Sequence, residues 1–206
     1  MRTKPIITRL MTIAMAAVLL LSGCGSSKPE TGLYTATFTI TDEMWKNALG
    51  SNAGEILKVF EGYEFSLDFH MVIYSDKTAE FSADYDKFVN GVCSWLDNNY
   101  ISVLKRIAES EGMVLTGSAE REALASKSQI IDSFRKSLES SMNYGAGSET
   151  SLKWKTVFGK MYFIGGNDKK TECTLNDDGS FTLTCTSEDL GTDIWGDTIE
   201  LNFKKV

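Results

Sequence analysis

Two arms of alternation between Tyr63 and Tyr85 constrain this chain more than any other feature. On the first arm Tyr63, Phe65, Leu67, Phe69, Met71 and Ile73 take the odd positions, and Glu64, Ser66, Asp68 and His70 take the even ones. Successive side chains of a strand point to opposite faces, so this arm has one dry and one wet side. After Ser75-Asp76-Lys77 the pattern resumes, with Ala79, Phe81, Ala83 and Tyr85 against Glu80, Ser82 and Asp84. The pair reads as a long antiparallel hairpin. Its dry positions are odd on both arms, so the connection must hold an odd number of residues or a bulge. One hairpin cannot bury such a face alone, and further strands must close over it.

Those strands are present. Tyr34, Ala36, Phe38 and Ile40 alternate with threonines; Leu152, Trp154 and Thr156 lead through Phe158-Gly159-Lys160 into Met161–Ile164; Thr171–Leu175 and Ser180–Thr186 flank a turn; and Asp197–Lys204 carries Ile199, Leu201 and Phe203. Two short helices, capped by Thr41 or Asp42 and by the Ser51-Asn52-Ala53-Gly54 stretch, separate the first two strands. Between the third and fourth strands the period changes. Apolar residues from Phe88 to Ile107 recur every three or four positions, predicting a helix over about 86–111 closed by Gly112. A second helix follows, with Ser118 as N-cap and Leu124, Ile130, Ile131, Phe134, Leu138 and Met142 as its apolar stripe. The loop Gly145-Ala146-Gly147-Ser148 returns the chain to the strands. The expected class is mainly β with a helical insertion: an eight-stranded antiparallel up-and-down barrel, which leaves no free edge, interrupted at 86–143 by a helical hairpin.

The first residues specify location. Arg2, Lys4 and Arg9 precede an apolar run from Met11 to Leu21, which ends in Leu21-Ser22-Gly23-Cys24. This resembles a bacterial lipoprotein signal, and the resemblance implies lipidation of Cys24 and removal of residues 1–23. Residues 24–31 would then tether the domain 32–206 to the extracytoplasmic side of the cell membrane. Loss of the three basic residues leaves 18 basic against 28 acidic side chains, about −10. Such a charge repels phosphate backbones, so no nucleic-acid partner is expected, and attachment must come from the lipid on Cys24.

Three further cysteines remain. Cys93 falls in a helical stretch and reads as a buried thiol. Cys173 and Cys185 flank Asn176-Asp177-Asp178-Gly179; a three-residue loop there pairs 173 with 183, which leaves the sulfurs diagonal and too far apart for a comfortable disulfide. No disulfide is expected. The sole histidine, His70, lies on a wet face beside Asp68, which argues against a catalytic triad or a zinc site. The inward sets hold no carboxylates, and Asn176–Gly179 lacks the spacing of a calcium loop. Neither catalytic residues, a metal nor a cofactor is therefore expected, and the chain reads as non-enzymatic.

Taken together, Gly32-Leu33-Tyr34, the Trp154–Ile164 hairpin, the Asn176–Gly179 turn and the closing Ile199–Lys204 resemble the lipocalin-like domains of small bacterial lipoproteins. Two departures stand out. Tyr34 occupies a position where lipocalins usually carry tryptophan, and Lys204 and Lys205 stand where an arginine usually packs over it; the helical insertion is foreign to the simple barrel. An open barrel would be lined by Tyr34, Phe38, Phe65, Phe69, Phe81, Trp154, Phe181 and Phe203, an aromatic cavity suited to a small apolar or aromatic ligand. A closed one would make the same residues core. The first alternative gives a ligand-binding lipoprotein; the second gives an envelope-interaction or structural module with a solid barrel and a helical docking face.

Overall fold

Alternation makes strands here because every second residue finds the same apolar interior. The computed structural model describes residues 28–49, 53–143, 150–157, 160–165, 168, 170–186 and 198–206. The segment 1–23, Cys24, the Gly145–Ser148 loop and the Phe158-Gly159 turn lie outside them. Among the described residues the chain runs β1 (Gly32–Ile40), α1 (Asp42–Leu49), α2 (Ala53–Val59), β2 (Phe65–Ile73), β3 (Thr78–Ala83), α3 (Tyr85–Ser110), α4 (Gly117–Asn143), β4 (Thr150–Val157), β5 (Lys160–Ile164), β6 (Lys170–Leu175), β7 (Phe181–Thr186) and β8 (Thr198–Lys205). Each strand pairs antiparallel with the next, and β8 returns to β1, closing an eight-stranded barrel. Closure rests on Tyr34 opposite Lys205 and Thr35 opposite Lys204, extended by the Val206 N–H donating to the Leu33 carbonyl at 3.0 Å.

Phe69 faces Ala83 and Ile73 faces Ala79, so odd positions meet odd positions across the central hairpin. The connection supplies the required odd count as a three-residue loop, Ser75-Asp76-Lys77, between Tyr74 and Thr78, whose backbones bond at 3.0 Å. A sister turn joins β6 to β7. There Asn176 N donates to the Ser180 carbonyl at 2.9 Å, and Cys173 faces Leu183, the register expected from the loop length. In both turns an aspartate in the middle accepts from the backbone N–H two residues on, Asp76 from Thr78 and Asp178 from Ser180, each at 3.0 Å. Both turns then need a left-handed residue, which is Lys77 (φ 68°) in one and Gly179 (φ 81°) in the other.

Strand direction alternates, so the two ends of the barrel differ. The lower end carries both sister turns and the outer termini of β1 and β8. The upper end carries every described helix: α1 and α2 link β1 to β2, and α3 and α4 link β3 to β4. Helix α3 starts where Asp84 accepts from Lys87 N at 2.9 Å. It stops at Gly112 (φ 72°), where Gly112 N donates to the Glu109 carbonyl and Met113 N to the Ala108 carbonyl. This paired closure satisfies carbonyls the last turn would leave bare. Helix α4 begins two residues earlier than expected. Its first bond runs from Glu120 N to the Thr116 carbonyl at 2.8 Å, so Thr116 rather than Ser118 flanks the helix. The antiparallel pair is held in register by Lys105–Glu120 (2.8 Å) and Lys127–Asp97 (2.9 Å) ion pairs and by Arg135 donating to Asn90 (2.7 Å).

The apolar stripe of α4 is buried only in part. Ile131 is covered and Phe134 and Leu138 are partly so, but Leu124 and Ile130 face solvent, as does Ile107 of α3. Two helices lying side by side cover one face of each, and away from the barrel no third layer among the described residues shelters those beside the seam.

A conformational prediction follows from the sister turns. A Cβ added at Gly179 meets nothing within 4 Å, so Gly179→Ala is expected to destabilise the fold by about 1 kcal/mol through backbone strain alone. Lys77→Gly should shift stability in the opposite direction. Urea unfolding of the two variants beside the parent checks both signs.

Candidate functional site

The inward positions of eight strands converge on the barrel axis, and there ring meets ring. Phe181 is the hub: its ring lies 5.0 Å from Tyr34, 5.9 Å from Phe163 and 5.0 Å from Phe203, the last stacked at 18°. Phe203 continues to Phe81 at 6.3 Å, and Phe81 stacks on Phe69 at 5.5 Å. These spacings are those of rings in contact. Tyr34, Phe181 and Phe203 are each 0 % exposed, so no water-sized space touches them. The structure thus joins five of the eight residues expected to line the interior into one chain of contacts. Phe38 packs half-buried against the same core, and Trp154 is buried with its indole Nε1 lacking an acceptor.

Phe65 belongs to a different group. Its ring touches Trp45 (5.1 Å), Phe60 (5.1 Å), Tyr63 (4.8 Å) and Phe88 (6.3 Å), and Trp95 of α3 joins through Phe60 and Tyr63. This second cluster draws rings from α1, α3 and the approach to β2, and it plugs the upper end. Phe163, Met71, Met161 and Leu201, each 2 % exposed or less, were absent from the expected lining. Their parity along β2, β5 and β8 marked them; selecting aromatic residues alone passed over three of the four.

On the outer wall of β2, His70 Nε2 lies 3.7 Å from Asp84 Oδ2. Its neighbour Asp68 accepts from Thr37 Oγ1 at 2.6 Å and pairs with Lys87 Nζ. The Lys87 hydrogen bond, with that of Thr37, holds the Asp68 carboxyl below the usual carboxylate range. This constellation pins the first turn of α3 to the barrel. Among the described residues no group of three or more His, Cys, Asp or Glu side chains gathers as a metal ion would require.

Cys93, Cys173 and Cys185 are buried and form no disulfide. Burial pushes Cys173 up to about 12 and raises Cys93, which keeps both in the unreactive thiol form near neutrality.

The exposed apolar side chains collect at the two ends. Leu124 and Ile130 are exposed along α4, and nearer the tip of the hairpin stand Ile107, Met113 and Val114, the last 84 % exposed. Lys105, Glu109, Val114 and Leu115 line a shallow groove of about 110 Å³ there, well below the size of an ordinary ligand pocket. At the lower rim stand Leu33, Tyr74, Val157 and Val206.

Two measurements check these assignments. A thiol-specific reagent at pH 8 should leave Cys93, Cys173 and Cys185 unmodified in the native protein and modify all three in urea. Because the Asp68 carboxyl is held low, its bond to Lys87 stabilises the fold above the ordinary carboxylate range and is lost as pH falls through the lowered value. Lys87→Met should therefore unfold at lower urea than the parent at pH 6, with the gap closing in acid. No family model, curated protein or solved structure matches the chain, so the ring-lined barrel and its two unlike ends are read from their own geometry.

Proposed function

We propose that the chain is a non-enzymatic, lipid-anchored extracytoplasmic lipoprotein, held to the cell membrane through Cys24. In this reading its lipocalin-like barrel is a solid stand that presents the α3–α4 hairpin to another envelope protein. The observation that carries the reading is the distribution of apolar surface: inward rings meet one another along the barrel axis, while Ile107, Met113, Val114, Leu124 and Ile130 are exposed on the hairpin. A partner that shelters this group gains burial that the two-helix layer lacks.

Hairpin deletion is a poor test, because α3 supplies Phe88, Val89, Val92, Cys93 and Leu96 to the common core. A photo-crosslinker at Val114, with a second at Thr184 on the outer wall of the barrel as control, is the better one. In cells that make the protein, a discrete adduct is expected from Val114 alone, and Leu124→Ser with Ile130→Ser should abolish it without lowering thermal stability. Equal adducts from both sites, or an adduct that survives the double substitution, would reject the hairpin as the docking face. Mass measurement of the N-terminal peptide, which should carry lipid on Cys24, tests the anchor separately.

A second reading, binding of a small apolar or aromatic ligand inside the barrel, is favoured by one observation. The Trp154 indole Nε1 is buried without an acceptor, and an unmade hydrogen bond of this kind costs about 1–3 kcal/mol. Displacement of an apolar dye by a panel of fatty acids and aromatic acids separates the readings. Saturable displacement lost in Trp154→Phe supports the ligand, and no displacement across the panel supports the solid barrel.

A further inference from the structure

Over most of its height the outer wall of the barrel is polar. Thr37, Thr39, Ser66, Thr174, Thr184, Glu200 and Asn202 all face solvent. At the lower rim this changes: Leu33 (39 % exposed), Tyr74 (38 %), Val157 (37 %) and Val206 (80 %) stand uncovered. They come from the end of β8, β1, the end of β2 and, across β3, the end of β4, which places all four on one side of the rim. The opposite side of the rim, at the β6–β7 turn, is polar and carries Asp177 and Asp178.

The chain reaches the rim on the apolar side. Pro29 is buried. Glu30 is held at both of its ends, its carbonyl accepting from the Tyr34 hydroxyl at 3.0 Å and its carboxylate pairing with Lys205 at 2.6 Å. Residues from Pro29 onward are thus part of the barrel, and only Gly25, Ser26 and Ser27 separate Cys24 from Lys28. From Cys24 to Pro29 the chain spans at most about 18 Å when fully extended. A lipid on Cys24 must lie within that reach of the rim.

We propose that the lower rim is a bilayer-contact surface, in which the arc of Leu33, Tyr74, Val157 and Val206 rests in the headgroup region and sets the barrel upright with its helices outermost. The inference deepens the lipid-anchor reading of Cys24 and rests on it. Four side chains bury too little to hold a protein at a membrane alone, but a tether this short keeps the rim at high local concentration and needs only a modest preference. Tyrosine suits the interface, with an apolar ring and a polar tip. Here the Tyr74 hydroxyl donates to Glu80 at 2.5 Å, and the side chain is partly exposed at the rim.

The charges of this end argue against an electrostatic hold. Lys205 pairs with Glu30 and Lys160 with Glu172, and Asp76 and Asp178 are engaged by Thr78 and Ser180 within their turns. Asp76 and Asp178 keep their charge in those bonds and, with Asp177, balance Lys28, Lys77 and Lys204. Contact should therefore depend little on lipid charge.

The test uses the lipidated protein in vesicles, with a nitroxide placed singly through Tyr74→Cys, Thr184→Cys and Leu124→Cys; the native thiols are buried and Cys24 is blocked by its lipid. Protection of position 74 from an aqueous nickel relaxant is expected to exceed that of 184 and 124 by at least threefold, equally in phosphatidylcholine and in mixtures with phosphatidylglycerol. A parallel Leu33→Ser, Val157→Ser protein should lose most of that protection while staying on the vesicles. If position 74 is as accessible as 124 in a protein shown by mass to be lipidated, the rim contact is overturned and the anchor stands. Greater protection at 124 overturns it too, by pointing the hairpin at the membrane. Absence of lipid on Cys24 overturns both readings.

Discussion

The pairing of β1 with β8 is the constraint from which the rest of this structure takes its form. Few residues make it, chiefly Tyr34 and Thr35 against Lys205 and Lys204, with the Val206 N–H bonding to Leu33. Yet it removes the two edges that an eight-stranded meander would leave open. Once the sheet is a tube, each inward side chain has the same small volume to share with seven other strands. The stacking of Phe181 on Phe203 and the burial of Tyr34 are consequences of that closure as much as of their own hydrophobicity.

Closure also separates the ends. A tube of alternating strands must place odd-numbered connections at one end and even-numbered ones at the other. In this chain the first and third connections are the helical ones, so the helices share an end. The ring cluster of Trp45, Phe60, Tyr63, Phe65, Phe88 and Trp95 follows from that arrangement, because the upper mouth needs a cover and the helices bring aromatic residues to it. The lower mouth needs none, being narrowed by tight turns and by Lys205 lying beside Glu30 and Tyr34.

What could be read from the sequence was governed by range. The central hairpin, the odd loop at Ser75–Lys77, the stop at Gly112 and the pairing of Cys173 with Leu183 depend on residues a few positions apart, and period and turn chemistry specify them. The interior aromatic set was likewise legible, since parity along each strand assigns Phe181 and Phe203 inward. Parity does not report how rings from different strands meet, as Phe181 meets Tyr34, Phe163 and Phe203. The exposure of Leu124 and Ile130 was hidden for the same reason. A helical stripe shows which face is apolar; what covers it is decided by elements distant in the chain. Ser118 was mistaken for a cap because Thr116, two residues earlier, is chemically its equal.

The insertion of α3 and α4 between two strands that lie side by side bears on how the chain acquires its shape. Phe81 of β3 sits opposite Thr150 of β4, a pairing across a long stretch of chain that a flexible loop would close slowly. An antiparallel helical pair is built from near-neighbour contacts and returns the chain close to its starting point, so its early formation shortens the search. The β1–β8 seam has no such guide and joins residues about as far apart as the domain allows. Assembly is thus expected to proceed from the middle outward, with the cylinder sealed last.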